Sequence, residues 1–304
     1  MALRSLDNAL AATAQERPKR HPKVAMSMQK QSEQVLGGVN DENVAPLPPP
    51  PPAAADAAVD YISSENLKPI TDPEIKIRGL IEGLGSKDWL KVCEALNNAR
   101  RFALYHSTLL LPIIDNVMVV LVKAMKNPRS ALCKTSIMAS SDIFQAFGDN
   151  LLVSTTSDAF DNMLLQLLLK ASQDKKFVCE EADRALNTMV VSMTPLPLLH
   201  KLRASASHAN PRIRAKAATS VSHCLSKMEI EGMKEYGLVS LIQKAADLLN
   251  DRLPEAREAA RSIVTLMYKA LTESEEEKQE AWQSFCQSNL PAIDALAIVK
   301  IVPK

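Results

Sequence analysis

The stretch ANPRIRAKAATSVSHCL, residues 209–225, joins a turn to a helix and shows the pattern on which the whole chain is built. Asn210 and Pro211 form a helix start, because Asn is a favoured N-cap residue and Pro is favoured at the first helical position. Behind them Ile213, Ala217 and Val221 recur at steps of four residues, which places them on one helical face. The stretch therefore predicts an amphipathic helix that begins sharply after a turn.

Related turn-to-helix junctions return about every 36 to 47 residues. The copies are SKDWL (86–90), KNPRS (126–130), QDKKF (173–177), ANPRIR (209–214) and NDRLPEAR (250–257). This period is typical of helix pairs that stack into a solenoid. We expect an all-α solenoid, with helix pairs at 72–84 and 89–103, 108–126 and 128–147, 157–171 and 175–191, 195–205 and 211–228, 235–249 and 253–271, and 274–288 and 291–302.

The composition supports this fold and excludes several classes of function. The chain has 304 residues, 8 Gly and a formal net charge of +1, so a helical core is expected and a nucleic-acid partner is not. No Gly-rich phosphate loop, H-E-x-x-H or G-x-S-x-G motif occurs, so we expect no enzyme and no cofactor. The five cysteines contain no C-x-x-C pair, which predicts reduced, buried thiols and no metal site.

Two apolar or proline-rich regions bear on location. The apolar stretch 107–125 contains Pro112, Asp115 and Asn116, which favours a buried helix over a membrane span, and we expect no membrane association. Residues 1–68 contain the run PLPPPPPPAAADAA and predict a disordered tail before an array at 69–304. Within the tail, the Pro run could bind a profilin-like or SH3-like groove or act as a spacer. The cluster RPKRHPK could be a nuclear import signal, an acidic-surface contact or a solvated stretch.

Particular residues give the array a family resemblance. The segments PRIRAKAA (211–218) and PEAREAA (254–260) resemble HEAT repeats. A Trp after a Ser-x-Asp stretch in the first turn, with basic residues in the later turns, resembles the TOG domain. The array has the size of a single TOG domain and in this resembles the CLASP and crescerin branch most closely. Cys179 departs from the HEAT pattern, which often has Arg there, and Asp251 lies beside Arg252. The resemblance implies a HEAT/armadillo-like array of about six helix pairs.

The resemblance also implies a function for the turns. TOG domains grip αβ-tubulin, which is acidic, along the edge formed by these turns, so we expect a non-enzymatic microtubule-associated protein of the cytoplasm and cytoskeleton. Stacking would align the basic residues of successive turns in one strip with an aromatic residue at its end. The predicted tubulin-binding residues are Lys87, Trp89, Arg129, Lys175, Lys176, Arg212 and Arg252.

Some alternatives remain open at this point. Trp89 could be an exposed anchor or a core residue that seals the first helix pair. Trp282 is expected to pack between the last helices, and Arg214 and Arg257 are expected to bond turn carbonyls or neighbouring acids. The rival function is an adaptor of HEAT or armadillo type that binds peptides or proteins in a groove lined by the second helix of each pair.

Overall fold

The computed structural model describes residues 61–153 and 158–302, and these residues form helices and connecting turns with no strand. The α-helices are α1 (Pro73–Leu84), α2 (Trp89–Tyr105), α3 (Ser107–Leu110), α4 (Ile114–Met125), α5 (Ser130–Phe147), α6 (Asn150–Val153), α7 (Ala159–Ala171), α8 (Lys176–Ser192), α9 (Pro195–Leu202), α10 (Pro211–Leu225), α11 (Ile230–Tyr236), α12 (Leu238–Leu249), α13 (Pro254–Leu271), α14 (Lys278–Asn289) and α15 (Ala292–Val299). Short 3₁₀ helices lie at Ser64–Asn66, Leu111–Ile113 and Ser205–Ser207. The predicted all-α class is confirmed.

The helices stack in six pairs: α1 with α2, α4 with α5, α7 with α8, α9 with α10, α12 with α13, and α14 with α15. The second helices α2, α5 and α8 pack side by side, and α10 packs on α13. Their apolar faces form one continuous core, in which Leu96, Ile137, Ala182 and Ala217 are completely buried. Trp282 is also completely buried, as predicted. Each pair therefore buries its apolar face against its neighbours, as the repeat period predicts.

Two predicted helices are interrupted. The stretch 108–126 is divided into α3, a 3₁₀ helix that contains Pro112, and α4, because proline has no N–H to donate and disrupts a continuous helix. The stretch 235–249 is divided at Gly237, whose φ of 112° lies outside the helical region. Both corrections leave the pairing of the helices unchanged.

Some of the helix starts have the N-cap residues and bounds that the sequence predicts, and others differ. The Asn210 side chain accepts a hydrogen bond from the backbone N–H two residues later at 3.0 Å and caps α10, as predicted. Asp72 occupies the N-cap position of α1 with a φ of 51°, but its side chain makes no capping hydrogen bond. Asn127 accepts from the N–H of Arg129 at 2.9 Å, so α5 begins at Ser130 and not at residue 128.

The apolar stretch Ser107–Met125 is long and apolar enough, by length and composition, to cross a membrane. In the array it is interrupted by the 3₁₀ helix, and Leu110, Val117 and Leu121 are completely buried in the core. A buried core helix can have the same length and apolar composition as a membrane-spanning helix. Packing inside the array accounts for these apolar residues.

Residues 61–67 form a strap that lies against α2 and α5, and we call this segment the N-terminal strap. The Arg100 guanidinium of α2 donates from Nη1 to the carbonyl oxygen of Ile62 at 2.7 Å. The Ser64 hydroxyl donates to Oδ1 of Asp142 in α5 at 2.6 Å, and the Leu67 side chain is buried, with 2% of the residue exposed. For residues 61–67 the predicted tail without fixed structure is therefore wrong. Residues 1–60 of that tail lie outside the described residues.

The strap completes a buried ion pair between the first two repeats. Arg100 Nε lies 2.6 Å from Asp142 Oδ2, and the two side chains are 1% and 3% exposed. A buried charge is tolerated only when it is paired and its remaining hydrogen-bonding groups have partners. Ile62 and Ser64 supply those partners from the strap. The packing of α2 on α5 is thus coupled to the presence of residues 61–67.

Arginines hold the last two turns in place, as predicted. Arg214 donates from Nη1 to the carbonyl oxygen of His208 at 2.6 Å and pairs through Nε with Oδ2 of Asp251 at 2.5 Å. Arg257 donates from Nη1 to the carbonyl oxygen of Asp251 at 2.8 Å. Each arginine therefore hydrogen-bonds a carbonyl oxygen of its own turn, six residues earlier in the chain. Arg214 also joins the fourth turn to the fifth through its ion pair with Asp251.

The Asp251 carboxyl is stabilised in its charged form. Burial acts to raise its pKa, but the hydrogen bonds from Arg214 and from the N–H of Leu253, with the charges of Arg214 and Arg257, lower the pKa below its ordinary value of 3.8. A lowered pKa means that the ion pair stabilises the fold at neutral pH. That stabilisation is lost as the pH falls through the pKa of the folded state.

We predict that Leu67→Ala lowers the free energy of unfolding by about 2–3 kcal/mol, because it empties a buried site and loosens the strap. The measurement is urea denaturation followed by circular dichroism. The matched control is Ile75→Ala, which truncates a side chain that is 71% exposed and should change the stability little. Equal midpoints for the two variants would show that residues 61–67 do not belong to the folded array.

We predict that Asp251→Asn loses about 2–3 kcal/mol of stability at pH 7, because it leaves Arg214 without its partly buried partner. The difference from the wild type should shrink as the pH falls below the ordinary carboxyl pKa of 3.8, and it should vanish once the pH is below the lowered pKa of the folded-state carboxyl, where Asp251 is neutral as well. Denaturation curves at several pH values test this. As a control, Asp174→Asn removes an exposed pair and should cost less than about 1 kcal/mol. A loss for Asp251→Asn that stays constant down to pH 2 would contradict the assignment.

Candidate functional site: the row of turns

The first turn carries the predicted aromatic residue. Trp89 is the first residue of α2, half-buried, and it packs in part on the core. The Arg129 guanidinium of the second turn lies over its indole, 5.0 Å from the ring centroid, within the range of a cation–π contact. Trp89 is therefore partly exposed and also packs on the core, so its position combines the two alternatives that the sequence left open. Lys87 is exposed in the same turn.

The second and third turns are also in contact. Lys175, at the N-cap position of α8, places its Nζ 3.1 Å from Oγ of Ser130 at the start of α5. Its neighbour Lys176 is 88% exposed and lies 3.7 Å from the Glu180 carboxylate, one helical turn along α8. An exposed pair of this kind neutralises little of the lysine charge. Both predicted lysines are thus accessible at the helix start.

The fourth turn is partly neutralised by the third. Arg212 Nη1 lies 2.8 Å from Oδ1 of Asp174 and 3.3 Å from the carbonyl oxygen of Ser172. Arg212, one of the predicted tubulin-binding residues, is therefore paired with an acid of the preceding turn, although both side chains remain exposed. Arg252 is exposed in the fifth turn, directly after the buried Asp251.

These contacts run from each turn to the next, so the five turns form a single row. We call residues 86–90, 126–130, 173–177, 209–214 and 250–257 the turn row. It contains nine basic side chains against four acidic ones, although the whole chain is nearly neutral. The second helices also begin in the turn row, and their N-terminal N–H groups add positive potential. The turn row is thus a basic surface on a chain of net charge +1.

The third turn is fastened by a thiol instead of an arginine. Cys179 is half-buried, and its Sγ donates to the carbonyl oxygen of Gln173 at 2.6 Å, again six residues earlier in the chain. Burial, and next the nearby charge of Asp183, raise the pKa of this thiol, so it stays protonated and can donate. The departure from the HEAT pattern at Cys179 therefore keeps the turn contact but makes it weaker.

The remaining thiols are structural. Cys93, Cys133, Cys224 and Cys286 are buried, as predicted. Burial raises the pKa of Cys224 and of Cys286 to about 12, so neither is a thiolate at neutral pH. Among the described residues no group of three or more His, Cys, Asp or Glu side chains could hold a metal ion.

The sequence-based prediction considered basic residues and did not identify two exposed apolar residues of the turn row. Leu90 and Phe177 are the second residues of α2 and α8, and both are exposed. The sequence did contain a signal for them. The second residues of α10 and α13 are the charged residues Arg212 and Glu255, and charged residues are common at exposed positions. A large apolar residue at the same position of α2 and α8 is therefore unusual.

Comparisons with known proteins agree with this architecture. TOG array regulator of axonemal microtubules protein 1 from Mus musculus is 27% identical over 212 residues, which is 68% of this chain but only 12% of the relative. The TOG domain structure of Zyg9 from C. elegans superposes with a TM-score of 0.55 at 17% identity, over 79% of this chain and 89% of that chain. A structure described under "TOG-tubulin binding specificity promotes microtubule dynamics and mitotic spindle formation" superposes with a TM-score of 0.51 at 16% identity, over 67% and 80% of the two chains.

A family model supplies the assignment. Residues 104–285 match the model described as CLASP N terminal, and this range is more than half of the 304 residues. It extends from the end of α2 into α14 and so includes four of the five turns of the turn row. Together with the stacked helix pairs, this match shows that the chain belongs to the CLASP N-terminal family and has the helical-repeat fold of a TOG domain.

Proposed function

We propose that this chain is a non-enzymatic microtubule-associated protein that binds αβ-tubulin through the turn row and so regulates microtubule dynamics or organisation. The observation that carries the proposal is the continuous set of contacts between turns, which aligns a half-exposed Trp89 with the basic residues of later turns. The family match and the mouse relative, whose name describes a regulator of axonemal microtubules, support the same class of partner.

Charge makes an acidic partner the best fit. The turn row has an excess of basic side chains, and the N-termini of the second helices lie in it. Such a surface attracts an acidic protein from a distance and orients it before contact. Charges alone give little affinity at an exposed surface, however, because water and salt screen them. A tight complex also needs an anchor that loses its water on binding.

Trp89 is suited to be that anchor. Its indole packs partly on the core, so the fold holds the ring in one position, and the Arg129 guanidinium lies over its face. A fixed aromatic residue loses little side-chain entropy when a partner covers it. Trp and Arg are also the residue types that most often dominate binding at protein interfaces. The Trp89–Arg129 contact thus presents an apolar surface and a cation at one end of the turn row.

The rival function, a peptide adaptor that uses the face of the second helices, is less well supported. The N-terminal strap already lies on that face at α2 and α5, where the Lys134 ammonium sits 4.5 Å from the centre of the Tyr61 ring. Further along, Lys216 lies between Asp183 and Glu255, at 3.0 and 2.9 Å. The chain itself therefore occupies part of the groove, and the charged groups of the remaining part are paired with each other.

The proposal places the protein on microtubules in the cytoplasm. The basic cluster RPKRHPK and the Pro run lie outside the described residues. Nuclear access through the cluster and a profilin-like or SH3-like partner of the Pro run remain predictions of the sequence. Neither is required for the turn row to bind tubulin.

We predict that Trp89→Glu reduces tubulin binding by about 100-fold or more, because it removes the anchor and places a negative charge against an acidic partner. Co-elution with tubulin on a sizing column is the measurement. Val191→Glu is the matched control, since it adds the same charge at an exposed site at the far end of α8. Thermal unfolding followed by circular dichroism must show that both variants are folded. A folded Trp89→Glu that co-elutes like the wild type would refute the proposal.

We predict that the double variant Lys175→Ala with Lys176→Ala weakens binding about 3- to 10-fold at low salt and hardly at all at about 0.5 M salt, where exposed charges are screened within a few Å. Titration of tubulin at both salt concentrations measures this. Lys269→Ala is a control for loss of charge, because Lys269 lies near the end of α13, away from the turn row. An equal loss at both salt concentrations would contradict an electrostatic role.

A further inference from the structure

Two large apolar side chains are exposed in the turn row without contributing to the core. Leu90 is 44% and Phe177 is 43% exposed, and each is the second residue of its helix. The equivalent residue is the completely buried Ala131 in α5, and it is the exposed Arg212 in α10 and Glu255 in α13. Where this position is exposed in the later turns, the fold therefore carries a charged side chain. The packing of the core does not require a large apolar residue at the positions of Leu90 and Phe177.

Phe177 directly follows two lysines in the sequence. Lys175 places its Nζ near Ser130 of the preceding repeat, and Lys176 places its Nζ near Glu180 of the same helix. The buried face of α8 begins with Val178, one residue after Phe177, so the phenyl ring does not belong to that face. The residue is 43% exposed and is therefore accessible beside the basic residues of the third turn.

The first and third turns each combine an exposed large apolar residue with basic side chains, and the second turn lies between them. Arg129 lies on Trp89, and Lys175 and Lys176 bond a hydroxyl and an exposed carboxylate. In the fourth and fifth turns, by contrast, Arg212 pairs with Asp174 and Arg214 pairs with Asp251. The Arg212–Asp174 pair is itself exposed and Arg252 is exposed, so the fourth and fifth turns keep part of their positive charge. What these turns lack is an exposed large apolar residue, since none is found at 209–214 or 250–257.

We infer that Leu90 and Phe177 act with Trp89 as apolar anchors of the turn row, and that the partner contact is centred on the first three turns. This inference rests on the proposed function and adds to it the character of the surface that is recognised. The complementary patch is acidic, to match Arg129, Lys175 and Lys176, and it contains apolar depressions that accept a leucine and a phenylalanine side chain. Aromatic and arginine residues surrounded by polar ones are typical of the centre of a protein interface.

The apolar and the ionic contributions respond differently to salt. Burial of an apolar side chain does not depend on charge screening, whereas the attraction between exposed charges is reduced at high ionic strength. Removal of an apolar anchor should therefore weaken binding by the same factor at every salt concentration. This difference separates a contact made by Phe177 itself from an indirect effect on its neighbouring lysines.

The test uses the full chain and measures its affinity for purified αβ-tubulin at low and at about 0.5 M salt. Phe177→Ala is compared with Val191→Ala, which truncates an apolar residue that is 66% exposed at the other end of the same helix. We expect Phe177→Ala to weaken binding about 10-fold at both salt concentrations and Leu90→Ala to do so about 3- to 10-fold. Val191→Ala should bind like the wild type.

The outcomes separate this inference from the proposed function. If Trp89→Glu abolishes binding while Phe177→Ala and Leu90→Ala bind like the wild type, the turn row is the binding surface and the apolar anchors are wrong. A Phe177→Ala defect that disappears at high salt also overturns the inference, because the effect would then be ionic. If Trp89→Glu binds normally as well, the proposed function itself fails. Equal losses for Phe177→Ala and Val191→Ala would contradict a contact confined to the turn row.

Discussion

Each helix pair of this protein has an apolar face that is buried only when the neighbouring pair is in place. The stacking of α2, α5 and α8 therefore determines the distance between successive turns, and the turn row exists because the second helices are held side by side. The contacts between turns are a consequence of this stacking. Arg129 reaches Trp89 and Lys175 reaches Ser130 because equivalent helix starts are neighbours in space, although about forty residues separate them in sequence.

Among the described residues, the first two repeats are joined by the N-terminal strap as well as by the packing of their second helices. The strap buries Leu67 and makes three hydrogen bonds with the Arg100–Asp142 pair. These hydrogen bonds join residues that are 36, 38 and 78 positions apart. They also occupy the face that a peptide adaptor would use.

The sequence predicted the parts of the fold whose signals are local. Helical period, caps and prolines identify six pairs, because each helix start depends on residues within a few positions. Prediction failed where a single residue overrides a long apolar pattern, as at Pro112 and Gly237. It also failed at the strap, since a short segment without periodicity gives no sign that Leu67 is buried or that Ser64 meets Asp142.

For the candidate site, the sequence indicated the positions but not the partners. The basic residues were predicted because charge near a helix start is visible in the sequence itself. Whether such a charge is free depends on the next turn, and for Arg212 the structure places Asp174 against it. A prediction based on charge also did not include Phe177. Its exposure follows from its position one residue before the buried face of α8, which only the observed helix start determines.

The residue four positions after the N-cap differs between the earlier and the later turns of the turn row. In α10 and α13 it holds Arg214 and Arg257, and these arginines fasten their own turns. In α5 and α8 it holds Cys133 and Cys179, and the thiol of Cys179 makes the turn contact as a weaker donor. The second and third turns therefore need no arginine for their own structure at this position. Their basic residues lie at the helix starts, where the proposed acidic partner would contact them.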